Sequence, residues 1–270
     1  MDFQDDDLAV FAAEGAKALP APDAAGHVSH DGARIWWASF GEGPAVILLH
    51  GGMGHAGNWG WQIEALAGYR AVVIDSRGHG RSSRDDTAYS YQLMASDVTA
   101  VMDALEISRA ALVGWSDGAC TALVLADQTP DRVAGVFFFA CNMDPSGTTE
   151  IDGSNPLLGR CIGRHRADYA ALSATPDGFQ PFAEAVQMMQ ASQPNYGPGD
   201  LARIKVPVTV VQAERDEFIR PEHAAYLAAT IPDAELVELA GVSHFAPVQR
   251  PALFNAAMMR FLARVSPPSA

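Results

Sequence analysis

Residues 113–126 read VGWSDGACTALVLA, with Gly114 and Gly118 two positions either side of Ser116. An apolar run precedes this G-x-S-x-G segment and a helix-like run follows it. Such a segment carries a strand into a helix through a turn so sharp that side chains at the two glycine positions would collide. The serine is then held out at the tip, and its backbone strain is tolerated because strand and helix fix both ends. The amide of Asp117, at the helix N-terminus, is directed toward the serine oxygen and is a candidate oxyanion donor.

Three residues do not decide a fold, so the surrounding pattern matters. Short apolar runs recur at 33–40 (ARIWWASF), 45–50, 69–75, 109–115, 133–140, 206–213 and 234–240. Several are apolar at consecutive positions, as strands buried on both faces are. Between them, WGWQIEALAG, YQLMASDVTAVMDALEI, GACTALVLADQ and PEHAAYLAATI carry apolar residues at helical spacing. The alternation predicts an α/β fold: a mostly parallel, twisted sheet of about eight strands with helices on both faces. The strand rhythm stops at 142–205, where patches such as FAEAVQMMQ read as a small helical cap inserted in the core. The expected organisation is an N-terminal helical arm (1–27), a core (28–141 and 206–270) and the cap (142–205).

Composition narrows the function. The chain of 270 residues is 49% hydrophobic, enough for one large core, and carries a net charge of −14. That charge repels phosphate backbones and anionic lipid, so neither a nucleic acid nor a membrane is an expected partner. A small molecule is, with the protein a monomer or homodimer. Cys120, Cys141 and Cys161 have neither zinc-site spacing nor a disulfide framework, so buried free thiols and no metal are expected. The start, MDFQDDDLAVF, is acidic where a secretory leader is basic, and no apolar run reaches membrane-span length. A soluble, cytoplasmic protein is the expectation, with Asp2, Asp5, Asp6 and Asp7 forming a solvated start to the arm.

A serine hydroxyl is a poor nucleophile near neutrality and requires a histidine to take its proton and usually a carboxylate to orient that histidine. Of the histidines after Ser116, His165 falls in the cap and His223 in a helix that reads as surface. His244, on a loop after the run AELVELA, is the candidate base. Asp216, just beyond VPVTVVQA, is the candidate acid, with Glu214 and Glu217 as neighbouring alternatives. All three positions follow parallel strands, where open sheets form their crevices. In LLHGGMGHAGNW (48–59), small residues after a buried strand make the amide of Gly52 the second oxyanion donor, with Met53 as the alternative, and His50 reads as a loop anchor. Met53, Trp115, Met143, Met188 and Phe245 are expected to line the substrate site, with Trp59, Trp61, Phe179 and Met189 as further candidates.

These motifs resemble the α/β-hydrolase superfamily across residues 28–265. LLHGGMG is similar to its oxyanion loop, VIDSRGHGRSS to a structural turn, VGWSDGA to its nucleophile elbow, and QAERDEF and GVSHFAP to its acid and histidine loops. The resemblance implies Ser116 as nucleophile, His244 as base, Asp216 as orienting acid, the amides of Gly52 and Asp117 as oxyanion hole, and structural roles for Asp75, Arg77, His79 and Ser82. It implies a serine hydrolase that needs no cofactor and cleaves a small soluble ester through an acyl-enzyme. Carbon–carbon bond or lactone hydrolysis, haloperoxidase-like chemistry and a non-turning-over receptor on the same scaffold stand as alternatives. GWSDG is also similar to the elbow of biphenyl-hydrolase-like α-amino-acid ester hydrolases. Asp117 therefore has two readings: a favourable charge at a helix N-terminus, or a partner for a substrate ammonium.

Overall fold

The computed structural model describes residues 6–150 and 154–267. Asp2 and Asp5 of the acidic cluster lie outside the described residues. The chain runs α1 (Asp6–Glu14), β1 (Ala24–His30), β2 (Ala33–Phe40), β3 (Ala45–Leu49), α2 (Gly60–Ala65), β4 (Arg70–Ile74), α3 (Tyr91–Ala104), β5 (Ala110–Trp115), α4 (Asp117–Gln128) and β6 (Val133–Phe139). It continues through α5 (Pro156–Leu172), α6 (Phe179–Ser192), α7 (Pro198–Leu201), β7 (Val208–Arg215), α8 (Pro221–Thr230), β8 (Ala234–Ser243), α9 (Ala246–Gln249) and α10 (Pro251–Val265).

The eight strands form one sheet in the order β1-β2-β4-β3-β5-β6-β7-β8. The pairs β1/β2 and β2/β4 are antiparallel, and the rest are parallel. Burial on both faces accounts for the continuous apolar runs of the central strands. In β3, Ile47 and Leu49 enter the core shared with α3, α4 and α8, while Val46 and Leu48 enter the opposite core shared with α2 and α10. Helix α4 has apolar residues all round because it is buried all round.

The expected sheet is present, with one correction at its edge. Residues 24–27, read as the end of the arm, begin β1, which runs antiparallel along β2. Its sequence AAGHVSH is small, polar and largely exposed, as edge strands often are, and gives a weak apolar alternation. Helices α5, α6 and α7 fall between β6 and β7 and form the cap. The arm helix α1 is seated on the protein by Leu8 and Phe11, both fully buried among residues of α5 and the segment after β8. No helix among the described residues is long and apolar enough to cross a membrane.

The elbow depends on two close approaches of backbone. A Cβ at Gly114 would overlap the backbone of Ala119, and one at Gly118 would overlap the carbonyls of Leu49 and His50. Helix α4 therefore starts hard against the end of β3. We expect Gly118→Ala to lower the melting temperature by 5 °C or more, or to prevent folding, since backbone on both sides leaves no room to relax. Thermal unfolding followed by circular dichroism would measure it, and an unchanged melting temperature would contradict the packing.

Candidate active site

Ser116 sits between β5 and α4 at φ 53°, ψ −124°, outside the regions comfortable for a residue with a side chain. Its own backbone holds it there: the Ser116 N–H donates to Phe139 O at 2.9 Å, and its carbonyl accepts from Ala119 N at 2.7 Å. Such strain persists only where the surroundings over-determine it, as two buried elements do here.

The acid and histidine loops are stitched together. His244 Nδ1 lies 3.0 and 3.2 Å from the two oxygens of Asp216, and Asp216 Oδ1 also accepts from the amides of Phe218 and Ile219. Of the three neighbouring acids only Asp216 holds the ring. Glu217 accepts from His244 N and ties the two loops, and Glu214 accepts from Gly241 N and ties the ends of β7 and β8. Burial alone would lower the His244 pKa; the charge and hydrogen bond of Asp216, with Glu217 and Asp117 behind, raise it above its ordinary value. With Nδ1 committed to Asp216, Nε2 is the ring nitrogen left to exchange a proton.

Ser116, Asp117 and His244 line one cavity of about 430 Å³. Gly51, Gly52, Met53 and Gly54 form part of its wall. This loop is anchored by His50, whose Nδ1–H donates to Gly51 O at 2.8 Å while Nε2 accepts from Ser76 N at 3.0 Å. The turn 75–83 is held internally. Asp75 accepts from the amides of Ala56 and Arg81, and Ser82 donates to the Asp75 carbonyl. Arg77 is buried in a two-bond pair with Asp97. A side chain at Gly52 would come within 2.6 Å of both Asp117 Oδ2 and Gln190 Nε2, which shows how closely the loop approaches the elbow.

Asp117 does more than begin a helix. Its carboxylate is buried on the cavity wall, where it accepts from Tyr91 Oη at 2.9 Å and from Gln190 Nε2 at 3.0 and 3.1 Å. Burial raises its pKa, and the bonds from Tyr91 and Gln190 and the nearness of His244 offset this only in part.

Of the expected lining residues, Met53, Trp115 and Phe245 are on the cavity wall. Met143 and Met188 are not. Met143 is 0% exposed in the core, with its amide donating to His223 Nε2, and Met188 is 70% exposed on the outer side of α6. Trp59, Phe179 and Met189 also pack in the cores, and Trp61 faces outward beneath Lys17. His223 is buried, so its helix is not the free surface element its sequence suggests. Tyr91, Leu158, Ile162, His165 and Gln190 line the cavity and were not anticipated. The spacing Leu158, Ile162, His165 marks one face of a helix, but nothing in the sequence says which body that face meets. Cys120, Cys141 and Cys161 are buried free thiols, with Cys120 Sγ donating to Asn142 O behind the elbow. Among the described residues no cluster suited to a metal ion occurs.

This geometry agrees with the comparisons to known proteins. A family model for the alpha/beta hydrolase fold matches residues 44–156. The chain is 41% identical over 117 residues to "Epoxide hydrolase B" of Mycobacterium tuberculosis, a match that spans 42% of this chain and only 33% of that protein. It is 30% identical over 256 residues to "Putative carbamate hydrolase RutD" of Variovorax paradoxus, covering 84% of this chain and 94% of that one. Among solved structures, Est816, described as an N-acyl homoserine lactone degrading enzyme, is 29% identical with a TM-score of 0.70, covering 87% of this chain and all of that one. The fold, a mostly parallel sheet with helices on both faces, is that of the alpha/beta hydrolases. The chain belongs to the α/β-hydrolase superfamily.

Three histidines around the site make the fold sensitive to acid. Burial lowers the pKa of His50 and His165 to about 4 and of His79 to about 3. They stay neutral in the folded chain while the unfolded chain protonates them near 6.5. Stability from these histidines is therefore full above about pH 6.5 and falls as pH drops toward 4, each contributing at most about 1.4 kcal/mol per pH unit, while the raised carboxyls of Asp117 and Glu217, which take protons in the folded state, offset part of the loss. His244, its pKa raised, is protonated in both states there and does not oppose the loss. The melting temperature should drop steeply between pH 7 and pH 5 in calorimetry; a flat profile would refute the buried neutral histidines.

Proposed function

We propose that the protein is a serine hydrolase that cleaves a small, soluble carboxylic ester through an acyl-enzyme intermediate. The observation that carries this reading is the shared cavity of Ser116 and His244, with Asp216 holding the far nitrogen of the ring. His244 Nε2 takes the proton as Ser116 Oγ attacks the ester carbonyl. The amides of Gly52 and Asp117 hold the oxyanion of the tetrahedral intermediate, and the imidazolium returns its proton to the leaving alcohol. Water then repeats the sequence on the acyl-enzyme. The three reduced cysteines suit a reducing compartment, so the enzyme is read as cytoplasmic. A lactone, which is an ester closed on itself, is a second reading, favoured by the likeness to Est816 over nearly its whole length.

The Asp117 carboxylate favours esters that carry an ammonium group. It is buried on the cavity wall with a raised pKa, and a cation beside it would offset the cost of its burial.

Ser116→Ala should reduce turnover of p-nitrophenyl butyrate by a factor on the order of 10³ or more, and an organophosphonate probe should label the parent protein at Ser116. Turnover retained in that variant would discard the assignment. Separately, an amino-acid ester should be hydrolysed with at least tenfold higher kcat/KM than its N-acetylated analogue, a gap expected for one buried ion pair. Equal values for the two would exclude recognition of the amine by Asp117.

A further inference from the structure

We infer that His165 is a specificity-determining residue of the cap, donating a hydrogen bond from Nε2 to an oxygen acceptor of the substrate outside the scissile ester group. This deepens the ester-hydrolase reading and rests on it.

The inference starts from helix α5. Leu158, Ile162 and His165 follow one another at helical spacing and all line the cavity, so one face of this helix is cavity wall. Two of the three are aliphatic. The third is a histidine that is 6% exposed, wedged between Phe11, edge-on at 5.8 Å, and Phe245, stacked at 6.4 Å. A histidine is an expensive way to fill an aromatic gap, because both ring nitrogens lose water.

The two nitrogens differ. Nδ1 is sealed from solvent and has no hydrogen-bond partner. Nε2 makes no hydrogen bond to the described side chains, and the ring lines the cavity. Burial, reinforced by His55 and opposed in part by Asp168, lowers the ring pKa to about 4, so the ring is neutral at working pH and carries a single N–H. An orphaned buried N–H is rarer in proteins than an under-used acceptor, so the proton belongs on Nε2 and the lone pair on Nδ1. The ring therefore presents a donor to the cavity.

Of the other polar side chains of the wall, apart from Ser116, Asp117 and His244, Gln187 is exposed, Asn155 is half-buried and uses its Oδ1 to accept from Leu157 N, Trp115 Nε1 is sealed without a partner, and the rest donate within the protein. Tyr91 and Gln190 donate to Asp117. Asn142 donates to the Asp144 carbonyl, Thr148 to that of Pro145 and Thr149 to that of Glu217. His165 is left as a buried, uncommitted donor on the cap wall of the cavity. A substrate of hydrocarbon alone would leave it unpaired, whereas an ether, ketone or carboxylate oxygen would satisfy it.

The test uses ester pairs matched in length that differ by one oxygen. On the acyl side these are p-nitrophenyl butyrate and p-nitrophenyl methoxyacetate; on the alcohol side, butyl butyrate and 2-methoxyethyl butyrate. For each pair the ratio of kcat/KM, oxygenated over hydrocarbon, is measured in the parent protein and in variants, so that intrinsic reactivity cancels. His165→Phe should lower the ratio about fivefold in at least one pair, mainly through KM. His165→Gln, which keeps a donor, should restore it. Should His165→Phe fail to fold, His165→Met makes the same comparison with His165→Gln. An unchanged ratio in both pairs overturns the inference.

A readout independent of turnover separates this from failure of the ester reading. In Ser116→Ala protein, the Nε2 resonance of His165 in a ¹⁵N NMR spectrum should move on addition of the methoxy ester that shows the effect, and not with its hydrocarbon match. If the parent protein turns over neither pair, both methoxy esters are added in turn, and no shift with either overturns the inference on its own.

Discussion

The site depends on the contact between the first turn of α4 and the end of β3. Gly118 lies so close to the carbonyls of Leu49 and His50 that no side chain fits between them. That contact joins two consecutive pieces of the site, since Ser116 lies two residues before Gly118 and the loop of Gly51 and Gly52 begins two residues after Leu49. Because α4 is buried on every side, the elbow cannot recoil from the strain at Ser116. The cost of that backbone, of order 1–3 kcal/mol, is met by packing that involves no substrate-facing atom. The distance between the serine and the loop amides is thus a property of the core rather than of flexible surface.

The opposite wall is fixed by a different device, with polar stitching in place of steric contact. The ends of β7 and β8 and the loops after them are pinned by three nearby acids: Glu214 to Gly241 N, Asp216 to the His244 ring, Glu217 to His244 N. This explains why the sequence leaves three carboxylates in contention there. All three are used, and only backbone geometry selects the one that reaches the imidazole. A charged loop tip thus reads as a site from its place after a buried strand, while the division of labour within it does not.

The same divide separates what was legible elsewhere. The central apolar runs, β3 to β7, are continuous because both faces of those strands are buried, the half-exposed β2 and β8 keep enough apolar residues to be read, and the exposed edge strand β1 lacks that signal. The order of motifs gives Ser116, Asp216, His244 and the glycine loop, since each sits at a strand end that local pattern defines. The cavity wall was harder. Met188 and Met189 are adjacent and equally apolar, yet about 100° of helical rotation sends one to solvent and the other to the core. Tyr91, Gln190 and His165 come from three helices that meet only when the cap closes over the strand ends, a long-range fact that no local spacing encodes. His223 is buried for the same reason, because the segment following β6 folds back and places Met143 N against its ring.

Asp117 brings these elements into conflict in a way that bears on what the cavity accepts. Its amide is the proposed oxyanion donor, while its own carboxylate, buried on the same wall, would oppose that charge. Two of the structure's features moderate the conflict: Tyr91 and Gln190 draw the carboxylate's charge along their bonds, and His244 lies close enough for the carboxylate to favour its protonated form. In the proposed acyl transfer the imidazolium and the oxyanion would appear together, so the carboxylate would help the first as it hindered the second. A neutral substrate leaves that balance as it is. A substrate bringing its own positive charge to Asp117 would remove the hindrance to the oxyanion and also the help to the imidazolium, whose main support would still come from Asp216. Since Asp216 bonds the ring directly and Asp117 acts on it only through space, a cationic substrate beside Asp117 would leave the main support of the imidazolium in place under the proposed mechanism.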